Sequence, residues 1–248
     1  MIIRIVVYLL LMCAPSLSIG ADISVPGIDI TFSNAKDNNQ QIATALKMLL
    51  GLTVLSLAPA ILVVMTSFTR IIVVLAILRH AFGMQQTPPN TVLISLALFL
   101  TLFNMSPVFK EINQHAFQPY MDGKVGTQAA MDAGMAPMRD FMIRQTREKD
   151  LALMIDLAND SMPQSMNDVS SLMLIPAFML SELKTAFQIG FVIFLPFLLI
   201  DIVIASILMS MGMLMVPPMM ISLPIKILMF VLIDGWALVV NSLLNSFN

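Results

Sequence analysis

Long runs without charge constrain this chain more than any other feature. Thr185 to Ile200 and Ile202 to Ile225 carry no charged side chain, and Asp201 alone separates them. Thr91 to Phe109 is another uncharged run, and Ile42 to Met65 is a further one apart from Lys47. About 20 apolar residues are what a helix needs to cross the hydrocarbon of a bilayer. In that solvent every backbone N–H and C=O must find its partner inside the chain, so such runs fold as helices. The composition agrees: 58% of the 248 residues are apolar and 11% charged, with a mean hydropathy of +0.89. A soluble domain carries about 25% charged residues. The predicted class is all-α, an integral membrane protein built of helical hairpins.

The remaining charge is unevenly placed. Fifteen of the charged residues lie between Lys110 and Asp168, a polar insertion between apolar regions. A net charge of -2 disfavours nucleic-acid binding, and a single cysteine excludes a disulfide scaffold. Within the insertion, Pro137 marks an expected helix start. Asp140, Arg144 and Glu148 follow at i, i+4 spacing with alternating sign, the pattern of an exposed helical face. Leu151, Met154, Ile155 and Ala158 form the complementary apolar stripe. A solvated helical hairpin packed on its neighbours is the expectation for 110–170.

The N-terminus reads as a secretory signal over 1–20. Arg4 supplies the positive region and Ile5 to Ala14 a short apolar core. Pro15 then breaks the run, and Ser18-Ile19-Gly20 puts small residues at the -3 and -1 positions of a cleavage site. Cys13 follows Met12, where lipoprotein processing wants a small residue, and cleavage leaves a chain without cysteine. Residues 21–41 read as a flexible lead-in. A first apolar helical region then covers 42–109 and a second 171–248. Pro196, Pro217-Pro218 and Pro224 are expected to break the second into a helix, a Met/Pro-rich turn near 212–222 and a returning helix. Hydropathy gives about four spans. Cleavage would place the Arg70–Pro89 connection in the cytoplasm and residues 110–184 in the periplasm, against the positive-inside tendency of their seven Lys and Arg. Long segments are translocated largely regardless of charge.

No catalytic constellation emerges. His80 and His115 have no metal-ligand spacing. Gly51, Gly83, Gly190 and Gly212 are isolated and build no phosphate loop, so neither cofactor nor metal is expected. Asp201 and Asp234 sit in apolar surroundings, where a carboxylate is costly. They could form an intramembrane protease dyad, but the site reads Ile233-Asp234-Gly235-Trp236 instead of Gly-x-Gly-Asp. Pairing with Lys226 across a helix interface is the stronger reading: Lys226 and Asp234 are two helical turns apart and can share a face. Methionine is the unusual count, 23 in all, with Met209, Met211, Met213, Met215, Met219 and Met220 at the Pro-rich turn. Unbranched thioethers adapt to changing shapes.

Several runs are specific. Met65-Thr66-Ser67-Phe68-Thr69-Arg70-Ile71-Ile72, Gln86-Thr87-Pro88-Pro89-Asn90 and the stretch Arg144 to Glu148 come first. Ser181 to Phe191, Asp201 to Ser206, Val216-Pro217-Pro218 and Ile233-Asp234-Gly235-Trp236 follow in the same collinear order. From about Ile42 onward the chain closely resembles the FliP family of flagellar biosynthetic proteins. The resemblance implies a non-enzymatic core subunit of the type III export gate at the flagellar basal body, in or above the inner membrane. It implies a homo-oligomer, a pentamer, wound into a helical ring around a pore with FliQ and FliR, through which flagellar proteins pass. Injectisome relatives generally lack a cleaved signal, so the leader favours the flagellar branch. The same resemblance puts the pore constriction at Met213, Leu214 and Met215, where the family usually shows consecutive methionines. Arg70, Glu182, Asp201, Lys226 and Asp234 are the expected buried charges setting register between helices or subunits. Two rivals remain open: a small-ion or proton channel using these acids as a relay, and the aspartyl protease.

Overall fold

The structure, a computed structural model, describes residues 38–84, 86–158, 169–213 and 215–247. The expected signal and most of the lead-in therefore lie outside the described residues, as does Leu214. The chain divides into two units, 1–53 and 54–248. The described part of the first is the start of helix α1 (Asn38–Met65), which begins inside the expected lead-in.

The second unit is helical throughout its regular elements. Beyond α1 it contains α2 (Phe68–Ala81), α3 (Asn90–Asn104) and α4 (Ser106–Ile112). A π-helical turn (Asn113–Phe117) leads into α5 (Gln118–Met121), α6 (Thr127–Gln145) and α7 (Glu148–Leu157). The chain closes with α8 (Ser171–Ser210), α9 (Pro218–Leu232) and α10 (Gly235–Asn245). No strand occurs among the described residues, and the class is all-α.

The 40-residue helix α8 organises the unit. Its N-cap, Ser170, accepts the Leu172 N–H at 3.3 Å. It ends where Gly212 takes φ +74, a left-handed value that costs glycine little. There Gly212 N–H donates to the Met209 carbonyl at 3.1 Å and Met213 N–H to that of Leu208 at 3.0 Å. Along α8 sit two cores. Met105, Val108, Phe141, Met142, Leu151 and Ile155 close over Leu174, Ala177 and Phe178. Further on, Ile71, Val74, Leu75, Leu78, Leu93 and Ala97 pack with Ala186, Phe197, Phe230, Val239 and Leu243. Phe82 meets Phe197 and Phe230 edge-on, with ring centroids 5.1 and 4.8 Å apart.

Helix α2 lies along α8 in the same direction, more intimately packed than any other pair. The contact is close because residue 190 is glycine. A Cβ there would come 2.4 Å from Ile77 Cδ1 and 3.0 Å from its Cγ2.

Three proline expectations are overturned. Pro137 lies inside α6, not at its start, and Pro196 and Pro224 lie inside α8 and α9. A proline removes one ladder hydrogen bond, and a helix held on both sides of it by packing tolerates that loss. Of the prolines expected to break 171–248, only Pro217-Pro218 separates helices, where Pro218 occupies the first turn of α9 and needs no donor. The expected Asp140–Arg144–Glu148 face is also split: α6 ends at Gln145, and Glu148 opens α7. Glu148 and Asp150 there complement the positive end of the new helix dipole. Leu151 and Ile155 are buried as the stripe predicts.

Among the described residues one helix, α8, is long and apolar enough to cross a membrane, and up to four crossings result if each of three bent helix pairs counts as one. Large apolar side chains cover the outer faces, among them Phe99, Phe103, Phe187, Phe191, Val192 and Leu199. A water-soluble monomer rarely shows such continuous apolar patches.

Candidate functional site

The Met-rich turn joins α8 to α9 over residues 211–217, shorter than the sequence suggests, with Met219 and Met220 already in the first turn of α9. Its methionine side chains are exposed. Met215 is 97% exposed, and Met209, Met211, Met213, Met219 and Met220 are all exposed as well. Such a cluster of bare thioethers on a Gly- and Pro-bounded turn costs solvation and contributes little to the core. It offers a deformable apolar surface to something else.

Two buried cations tie down the two ends of α2. At its start, Arg70 is 2% exposed and Glu182 is fully buried. Arg70 Nε donates to Glu182 Oε2 at 2.9 Å, and Nη2 donates to Glu182 Oε1 and, at 2.9 Å, to Gln145 Oε1. Nη1 donates to the Ser246 carbonyl at 2.8 Å and to its Oγ at 3.0 Å. The Phe247 ring lies 3.9 Å from the guanidinium carbon. A guanidinium has five N–H groups, and all five are matched.

At the other end, Lys226 of α9 is 3% exposed and donates to the Ala81 carbonyl at 3.1 Å and to Asp201 Oδ2 at 2.6 Å. Ala81 is the last residue of α2, so the ammonium satisfies an orphan carbonyl at the negative end of a helix dipole. Both carboxylates thus lie against a cation carried by another helix.

Asp234 departs from expectation. α9 ends at Leu232, so Asp234 shares no helix face with Lys226, and its side chain is exposed. Its backbone is left-handed, φ 52 and ψ 53, a conformation Asp tolerates better than most residues. The Ile233-Asp234-Gly235-Trp236 run is therefore a bend of 67° between α9 and α10. Gly235 is required there because a Cβ would come 2.2 Å from the Phe230 ring. Trp236 then meets that ring edge-on at 5.5 Å.

Sequence reasoning missed the partners. Nothing in the local pattern marks Gln145, Ser246 or Phe247 as Arg70 ligands. It also missed a second polar junction, where Ser181 Oγ donates to Asp150 Oδ2 at 2.8 Å and accepts the Arg147 N–H at 3.0 Å. Lys184 approaches the other Asp150 oxygen at 3.4 Å. Asp150 is 7% exposed, beside the buried Leu151 on α7, a burial that only the fold reveals.

Comparison with known proteins places these features in a matched stretch. The FliP family matches residues 51–243, which include every candidate residue from Arg70 to Asp234. The flagellar biosynthetic protein FliP of Bacillus subtilis (strain 168) is 54% identical over 216 residues, 87% of this chain and 97% of that protein. The FliP of Cereibacter sphaeroides is 53% identical over 203 residues, covering 82% of this chain and 67% of that one. The FliP of Buchnera aphidicola subsp. Acyrthosiphon pisum is 47% identical over 242 residues. That match takes in 98% of this chain but 62% of the longer relative.

Proposed function

The chain belongs to the FliP family, and from that premise we propose that it is the pore-forming core subunit of the flagellar protein-export gate. Several copies, a pentamer by the family resemblance, would surround a channel together with FliQ and FliR in the inner membrane at the basal body. The polar insertion would lie on the periplasmic side. No chemistry on the substrate is needed for this role, and energy for export would come from elsewhere in the apparatus.

The observation that carries the reading is the exposed methionine cluster on the α8–α9 turn. Copies arranged around an axis would bring Met213, Leu214 and Met215 together as an apolar iris. Closed, an apolar constriction excludes water and ions by dewetting. Open, flexible thioethers would yield to an unfolded polypeptide of any sequence. The exposed apolar faces of α3 and α8 support the same reading, since lipid or neighbouring subunits would cover them. The Asp201–Lys226 pair supports it over a protease or proton relay, because a carboxylate held by an ammonium is a poor member of a proton-sharing dyad.

The test replaces Met213, Leu214 and Met215 with alanine together. The complex should still assemble with its partner subunits, seen by native mass spectrometry, while ion conductance of the resting membrane rises. Leu214→Met should be nearly silent, being close to volume-conserving. A triple variant that assembles normally and leaks no more than wild type overturns the assignment of the seal.

A further inference from the structure

The geometry points to Ser246–Phe247, the segment following α10, as a latch that couples the position of α10 to the buried Arg70–Glu182 pair. Ser246 supplies two of the five acceptors around Arg70, through its carbonyl and its Oγ. The Phe247 carbonyl accepts from Gln145 Nε2 at 2.9 Å, so the same glutamine that receives Arg70 through its oxygen holds the segment through its nitrogen. The Phe247 ring lies against the guanidinium and packs against both hydrophobic cores. Ser246 Oγ in turn donates to the Leu243 carbonyl at 2.7 Å, which anchors the segment to the last turn of α10.

These contacts make the segment a conditional part of the core. When α10 is docked, Arg70 is complete and can be buried. When α10 departs, two N–H groups of a cation that is 2% exposed lose their acceptors, and the ring that covers it leaves too. A buried charge left short of partners is penalised heavily, so water must enter the α2–α6–α8 junction or α10 must return. Movement of α10 and loosening around residues 70, 145 and 182 are therefore one event. The segment lies just past the stretch matched by the family, 51–243. The inference stands on these contacts and not on the pore reading.

Hydrogen–deuterium exchange on the full protein, purified in detergent with whatever membrane subunits accompany it, tests the latch. Deleting residues 246–248 should accelerate exchange tenfold or more in α10 and also around Arg70 and Glu182. The same deletion in an Arg70→Met, Glu182→Leu background should accelerate exchange around positions 70 and 182 less than threefold, because no buried charge remains to be orphaned. Equal acceleration in both backgrounds would mean that the segment acts only through Phe247 packing, and would overturn the coupling. No acceleration in either background overturns the latch altogether. If the deleted chain fails to accumulate, Phe247→Ala with Ser246→Gly keeps the main-chain acceptors and carries the same comparison, with exchange around 70 and 182 accelerated at least threefold in the native background alone.

Discussion

The two ends of α2 are each held by a buried cation, and the two holds differ in kind. At Arg70 every donor is matched, the carboxylate of Glu182 is fully buried, and the partners come from α6, α8 and the segment after α10. At Ala81 the cation is Lys226, buried to 3%, but its carboxylate partner Asp201 is 39% exposed. The first is closed inside the fold. The second opens onto the outer apolar face of α8, on the same arm that leads to the Met-rich turn. A guanidinium fork suits the closed site because its five directed donors can each be given an acceptor. A single ammonium suits the open one, where fewer acceptors converge.

That contrast can be broken most forcefully at the closed end. Arg70→Leu or Glu182→Leu alone should cost about 3–5 kcal/mol, since each leaves a buried charge unpaired. Accumulation of the protein in membranes and its unfolding midpoint would report the loss. The double change Arg70→Leu with Glu182→Leu should recover most of it, because both charges are gone.

At the open end the two partners should respond unequally. Asp201→Leu strands a buried ammonium and should cost about 3 kcal/mol. Lys226→Leu leaves a carboxylate that the fold does not enclose, 39% exposed and able to turn toward other donors, and should cost less. Equal losses in thermal unfolding would erase the distinction between closed and open pairs.

Between the two ends, Gly190→Ala wedges a methyl group into Ile77 and should cost about 1–3 kcal/mol by overpacking, read by the same midpoint. The smallest effect is expected at the α9–α10 bend. Asp234→Asn should be silent within about 0.5 kcal/mol, since both residues visit the left-handed region. Asp234→Val should cost about 1–2 kcal/mol for backbone reasons alone. A large loss in Asp234→Asn would restore a role for the charge itself.

Much of this architecture is legible in the sequence. The uncharged runs predict helices, and α1, α3, α8 and α9 overlap them, α8 beginning well before its run. Arg70, Glu182, Asp201 and Lys226 stand out because charge inside apolar helices is expensive. Proline was misleading in three of its positions: a local propensity near 3 kcal/mol is small against the packing that fixes a helix on both sides of it. Asp234 was misread because hydropathy registers a charge in an apolar run but not the backbone conformation that puts it on a bend.

What the sequence determined by itself is the kind of solvent and the kind of element: apolar runs too long and too uncharged for water, and a backbone that must therefore close its hydrogen bonds as helix. It also singled out Arg70, Glu182, Asp201 and Lys226 as charges that would need partners, though not Asp150. Which partners they found was decided only by tertiary structure. Glu182 lies 112 positions from Arg70 in the chain, and Ser246 lies 176. No period or spacing encodes contacts across such separations. They arise because Gly190 lets α2 approach α8 closely enough to set Arg70 against Glu182, while α6, α9 and the segment after α10 bring Gln145, Lys226 and Ser246 to its two ends.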